Sequence, residues 1–191
     1  ALWAAADAMR RMGLVHRNTH NKKVAAKTMV IGASGSIGSV SARLLAMSFD
    51  EVYLAGRTLS KLEELKASIL QETPDAKVFT TIDYDNLLAE MDMIVTSTSG
   101  AGKSVLDITR VKPGCVITDV ARPLDLPASE VAKRPDVLVI ESGEIELPTK
   151  VRGMKNIGLP DIVIYACLAE TIVLALEGRF EVFTIGRNTE W

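Results

Sequence analysis

Residues Thr28 to Arg43, TMVIGASGSIGSVSAR, constrain this chain more than any other stretch. A short apolar run, Met29-Val30-Ile31, meets glycines at 32, 35 and 38 spaced as G-x-x-G-x-x-G, and a small-residue helical pattern follows at once. The order predicts strand, tight turn, helix. Glycine can take positive φ and has no Cβ to hold a phosphate away, so such a turn lets backbone N–H groups approach a pyrophosphate at the positive end of the helix. Gly32, Ser34, Gly35, Ser36, Ile37 and Gly38 form the candidate cradle. An ordinary strand-to-helix turn would use the same glycines, so the rest of the chain has to decide between the two.

The pattern downstream repeats the same alternation. After a helix to Met47, Val52 to Ala55 reads as a second strand, Ser60 to Leu70 as a Lys/Glu-rich helix and Lys77 to Thr81 as a third strand. A short helix at Asp85 to Ala89 leads to a fourth strand, Met93 to Thr98, and apolar runs at Cys115 to Val120 and Val137 to Ile140 supply two more. Strands separated by helical patterns require βαβ crossovers and a parallel sheet. The expected fold is α/β, a doubly wound parallel sheet of the Rossmann type, with strand order 3-2-1-4-5-6 and a ligand crevice between strands one and four.

The end of the second strand tests the glycine reading. A carboxylate there would bind the ribose 2′-OH of NAD, whereas this chain has Gly56, Arg57 and Thr58, with Lys61 a turn later. Arg57 offers a planar fork of donors, Thr58 a hydroxyl and Lys61 a point charge, the equipment for a 2′-phosphate and hence for NADP(H). A helix cap at Thr58 or Ser60 beside solvated cations is the plainer alternative. Thr96, Ser97 and Thr98 end the fourth strand with small hydroxyl residues where a dinucleotide would pass, and Asp119 and Gly143 follow the next two strands as lining candidates.

Composition excludes several functions. A net charge of -2 gives no basic field for nucleic acid. Two cysteines, Cys115 and Cys167, lie far apart without zinc or disulfide spacing, which fits a reducing cytoplasm and no metal centre. The two histidines lie in the polar segment His16 to Lys23, with no acid or cysteine spaced to make them ligands. Ile162 to Leu176 is the most apolar run, but Glu170 interrupts it and a bilayer needs roughly 20 residues, so it predicts a buried helix and no membrane insertion.

Both ends depart from the alternating pattern. Ala1 to Leu14 reads as a helix already under way and Asp161 to Glu177 as a second one, followed by a strand-like Phe180 to Ile185 and a turn at Gly186-Arg187-Asn188. The expected organisation is a helix and linker over 1–23 from a preceding substrate-side domain, a cofactor domain over 24–157, and a helix and tail over 158–191 returning toward the substrate domain, in a chain that is a piece of something longer. Cys167 lies in the second helix. Helical spacing groups it with Ile164, Glu170, Thr171 and Leu174, off the purely apolar stripe of Tyr165, Leu168, Ile172 and Leu176, although a cysteine in such a helix is usually a small core residue.

VIGASGSIGS at the turn and YACLAETIVLALEGRFEVFTIGRN near the end make the chain resemble the long-chain fatty acyl-acyl carrier protein reductases and their relatives catalogued as predicted amino acid dehydrogenases. Asp119-Val120-Ala121-Arg122-Pro123 and Gly56-Arg57-Thr58 are also similar to the cofactor domains of shikimate dehydrogenase and glutamyl-tRNA reductase. The first resemblance implies a substrate carried as an acyl thioester, on acyl carrier protein or as a small molecule, and reduced to aldehyde by NADPH through a cysteine, which matches Cys167. The second implies a dehydrogenase of an amino or hydroxy acid with no covalent intermediate. A dinucleotide-binding module without activity of its own is the third reading, and a homo-oligomer stays open.

Overall fold

The computed structural model describes residues 1–15, 23–100, 102–150 and 155–180. Residues 16–22 of the polar segment, both histidines among them, and the strand and turn expected beyond Phe180, lie outside the described residues.

Six parallel strands form the centre: β1 (Val24–Ile31), β2 (Phe49–Ala55), β3 (Lys77–Thr81), β4 (Met93–Thr96), β5 (Val116–Asp119) and β6 (Leu138–Glu141), in the order β3-β2-β1-β4-β5-β6. This is the doubly wound order expected, and the direction of winding reverses between β1 and β4. Successive residues of the inner strands enter opposite cores, as the period of two demands. Val30, Val95 and Val116 pack with Ala5 and Met9 of α1 (Leu2–Arg11), Ala42 and Leu45 of α2 (Ser36–Ser48), and Leu62 and Ile69 of α3 (Leu59–Glu72). Met29, Ile31, Ile94 and Ile117 pack on the other face with Leu88, Met91, Ile108 and Leu126, brought there by loops and 3-10 turns. The short helix α4 (Ala128–Val131) leads to β6.

Lys23 shows how closely the α2–β2 junction is built. Its buried ammonium donates to the Ala46 carbonyl at 3.0 Å and pairs with Asp75 at 3.1 Å, placing positive charge at the negative end of α2.

The C-terminal part differs from expectation. The helix expected from Asp161 begins at Ala166, as α5 (Ala166–Leu176), and no residue of it is buried. Val163 to Tyr165 form a strand instead, β8, paired antiparallel with β7 (Glu144–Glu146). The β-branched and aromatic side chains of Val163-Ile164-Tyr165 suit a strand, and Ile164 is fully buried. Among the described residues no helix is long and apolar enough to cross a membrane.

Candidate cofactor and catalytic site

All six parallel strands end on one edge of the sheet, so the loops that follow them share a neighbourhood. The turn after β1 is tied to the end of β2: the N–H groups of Gly32 and Ala33 both donate to the Ala55 carbonyl, at 2.9 and 3.1 Å. Gly32 has φ +86°, and a Cβ there would stand 2.7 Å from the Ser97 carbonyl oxygen. Gly38, in the first turn of α2, meets backbone alone. A Cβ would overlap the Gly32 carbonyl oxygen and stand 2.9 Å from the Ala33 Cα. Gly35 caps α2 and is the least confined of the three, its nearest atom being the Gly32 oxygen at 3.3 Å. Helical geometry leaves the Ile37 and Gly38 amides without intrahelical acceptors, and no acidic residue sits in that first turn. These residues fit a pyrophosphate by shape and by the sign of the local field.

Ser34, Gly35 and Ser36 open onto a cleft of about 340 Å³ between α2 and α3, lined further by Arg43, Lys61 and Ser68. Arg57 and Thr58 stand exposed at the end of β2, just outside that lining, with Thr58 as the cap residue of α3. Among the described residues neither Arg57 nor Lys61 has a carboxylate partner, which leaves both charges available to a phosphate. Arg43 was not expected here. It is held by Glu72 and by the Ser68 hydroxyl (2.9 Å), and its spacing from Ser36 and Ser39 on one face of α2 was the signal for it. Glu64 also lines the cleft and opposes an anion.

Across the crevice, the hydroxyls after β4 already have protein partners. Ser97 donates through N–H and Oγ to the Ile31 carbonyl (3.0 and 3.2 Å), closing β4 onto β1. Thr98 donates its N–H (2.7 Å) and Oγ1 (2.5 Å) to Asp125, and Gly100 donates to Thr98 Oγ1 at 3.0 Å. Asp125 is fully buried and holds this wall of the crevice. Nothing in its sequence context marks it, because its partner lies far along the chain. The buried Thr96 hydroxyl has no aligned hydrogen-bond partner. Asp119 is fully buried too, accepting from Ala121 and Leu126 amides at 3.0 and 2.9 Å. Burial pushes its carboxyl above the usual range, against the pull of those two amides. Its carboxylate shapes the loop after β5.

Gly143 is where the chain leaves the sheet. The Ser142 N–H donates to the Asp119 carbonyl (2.9 Å), and the Gly143 carbonyl accepts from the Ala166 N–H at 2.8 Å. That bond brings the start of α5 to the carboxyl edge of the sheet. Cys167, its second residue, is exposed there, with Glu170 one turn along. Cys115 is its opposite: buried just before β5, its thiol is pushed up to about 12 by desolvation.

The sequence profile of the shikimate / quinate 5-dehydrogenase family matches residues 14–147, which hold the whole six-stranded sheet. The chain belongs to that family. Among its relatives, the aminotransferase PigE of a Serratia species is 34% identical over 160 residues, covering 83% of this chain and 18% of that protein. The long-chain acyl-[acyl-carrier-protein] reductase of Synechococcus elongatus is 27% identical over 169 residues, covering 85% and 47%. The chain thus spans half or less of the length of these relatives. The crystal structure of quinate dehydrogenase from Corynebacterium glutamicum in complex with NAD shares the fold, with a TM-score of 0.54 at 15% identity over 72% of this chain and 49% of that one. Family and relatives make this an NAD(P)-dependent oxidoreductase-like domain.

Proposed function

We propose that the chain is the cofactor-binding part of an NADPH-dependent reductase that takes an acyl group from a carrier thioester onto Cys167 and releases it as aldehyde. The observation that carries this reading is the Ala166–Gly143 hydrogen bond, which stations an exposed thiol at the edge of the sheet where the strand-end loops converge. Gly32 to Gly38 would hold the pyrophosphate, with Arg57, Thr58 and Lys61 on the 2′-phosphate. Bound NADPH would supply the hydride that the acyl carbon accepts. Cys167 Sγ, as thiolate, attacks the acyl carbonyl and the carrier thiol leaves, so that one thioester replaces another. Once the acyl carbon has been reduced, its bond to Sγ breaks and the aldehyde departs. Glu170, three residues further along α5, is the carboxylate that would exchange a proton with the thiol.

Cys167→Ala should abolish NADPH oxidation with an acyl-carrier substrate while leaving NADPH binding intact. Retained turnover would sink the assignment. One observation favours a second reading, a dehydrogenase acting on an amino or hydroxy acid: the family match ends at residue 147, before α5 and Cys167. Mass spectrometry of the protein mixed with acyl thioester and no cofactor separates the two, since only the first reading produces an acyl adduct on Cys167. A cytoplasmic location, and helices at both ends that complete a substrate domain, belong to the same proposal.

A further inference from the structure

Arg122, three residues past the end of β5, reaches the hairpin that carries α5. Its Nη2 lies 2.8 Å from Glu144 Oε1, with 23% of the Arg122 side chain and 33% of the Glu144 side chain exposed. Nη1 donates to the Ala121 carbonyl at 3.0 Å, whereas Nε and Nη2 are buried without an aligned hydrogen-bond acceptor. Charge rather than hydrogen-bond geometry therefore holds the pair, and removal of the carboxylate would leave a mostly buried guanidinium uncompensated.

The position of Glu144 gives the pair its leverage. Glu144 is the first residue of β7 and lies directly opposite Tyr165, the last residue of β8 and the cap of α5. Its neighbour Gly143 accepts the Ala166 amide, and Ser142 is tied to the sheet through the Asp119 carbonyl and through the Thr118 hydroxyl 3.0 Å from its own. These neutral bonds fix the root of the hairpin. Among the described residues, Arg122–Glu144 is the one ion pair that joins the hairpin to the sheet.

We propose that Arg122 is a positioning residue: through Glu144 it holds the β7–β8 ladder, and thereby α5, at the angle that presents Cys167 to the carboxyl edge. The inference rests on the reading of Cys167 as acyl acceptor for its consequence in turnover. Its structural half is independent of that reading.

The test uses the full chain with Glu144→Gln, Arg122→Met, the conservative Arg122→Lys, and the charge swap Arg122→Glu with Glu144→Arg. Hydrogen exchange at the Ala166 amide and the rate of Cys167 alkylation by iodoacetamide are read without turnover. NADPH affinity, kcat and KM are read alongside. Glu144→Gln and Arg122→Met should speed Ala166 exchange by about tenfold, leave β1 and β4 amides and NADPH affinity unchanged, and lower kcat more than KM. Arg122→Lys and the charge swap should recover most of both. Unchanged Ala166 exchange in Glu144→Gln, or a swap no better than the single variants, overturns the proposal. Faster Ala166 exchange in Glu144→Gln, with Cys167→Ala still turning over, would uphold the positioning role and overturn the acyl-acceptor reading.

Discussion

Gly38→Ala probes the cofactor cradle most directly, because its added methyl meets nothing that can yield. The nearest atoms are the Gly32 carbonyl oxygen, which it overlaps, and the Ala33 Cα and Gly32 carbonyl carbon, both at 2.9 Å. Restoring ordinary contact at 3.4 Å with the two carbons moves α2 off the turn by about 0.5 Å, and clearing the oxygen takes more. Against backbone alone such overpacking costs about 3 kcal/mol, the upper end of its usual range, and alanine's better helix propensity returns about 1 kcal/mol, leaving a net loss of about 2 kcal/mol. For a chain of 191 residues that is a fall of about 4–8 °C in Tm. The same shift carries the α2 amides away from a bound pyrophosphate. One lost charge-assisted hydrogen bond, about 1.5–3 kcal/mol, weakens NADPH binding by about tenfold or more. Gly35→Ala is the control, since its nearest contact is 3.3 Å and φ is −79°, and it should cost under about 1 kcal/mol. Thermal melts and NADPH fluorescence titrations of both variants decide the matter. A Gly38→Ala protein that melts and binds like wild type, or a Gly35→Ala protein that is the worse of the two, refutes the argument from shape.

Arg57→Ala should weaken NADPH binding by about 10–100-fold and leave NADH unchanged, because the lost contact is a charged hydrogen bond to the extra phosphate. Equal NADPH and NADH affinities in wild type would remove the phosphate site. Iodoacetamide should modify Cys167 in the folded protein and reach Cys115 only in denaturant, as one thiol is exposed and the other is buried and protonated. Peptide mapping that finds native Cys115 labelled first would contradict the assigned burial.

The sheet was legible because its strands are buried on both faces and read as short continuous apolar runs, Met29-Val30-Ile31 and Met93-Ile94-Val95 among them, broken by helices of different period. The glycine turn was legible because its steric demands are local, at Gly32 within the turn and at Gly38 in the next helix. Contacts between distant segments left no such trace. Asp125 on Thr98, Arg43 on Ser68 and Arg122 on Glu144 each join residues that only the folded sheet brings together. The same holds for the hydroxyls of Ser97 and Thr98, which in the sequence look free to meet a ribose and in the structure donate to Ile31 and Asp125.

The misplaced helix start has the larger consequence for chemistry. Val163-Ile164-Tyr165 followed by Ala166 onward is one apolar stretch, and a short apolar run cannot be assigned to strand or helix by periodicity alone. Had the helix begun at Asp161, Cys167 would lie about two turns inside it. Pairing with β7 instead takes three residues for a strand, and the helix starts one residue before the cysteine. The thiol then emerges exposed in the first turn, one residue after the Ala166 amide that donates to the Gly143 carbonyl. Because parallel strands send every following loop to one edge, a hairpin rooted between Ser142 and Gly143 delivers whatever follows it to the same edge as the glycine turn. A cysteine that residue type alone assigns to the core thereby lies exposed in the first turn of α5, whose first amide is tied to the Gly143 carbonyl in the loop after β6.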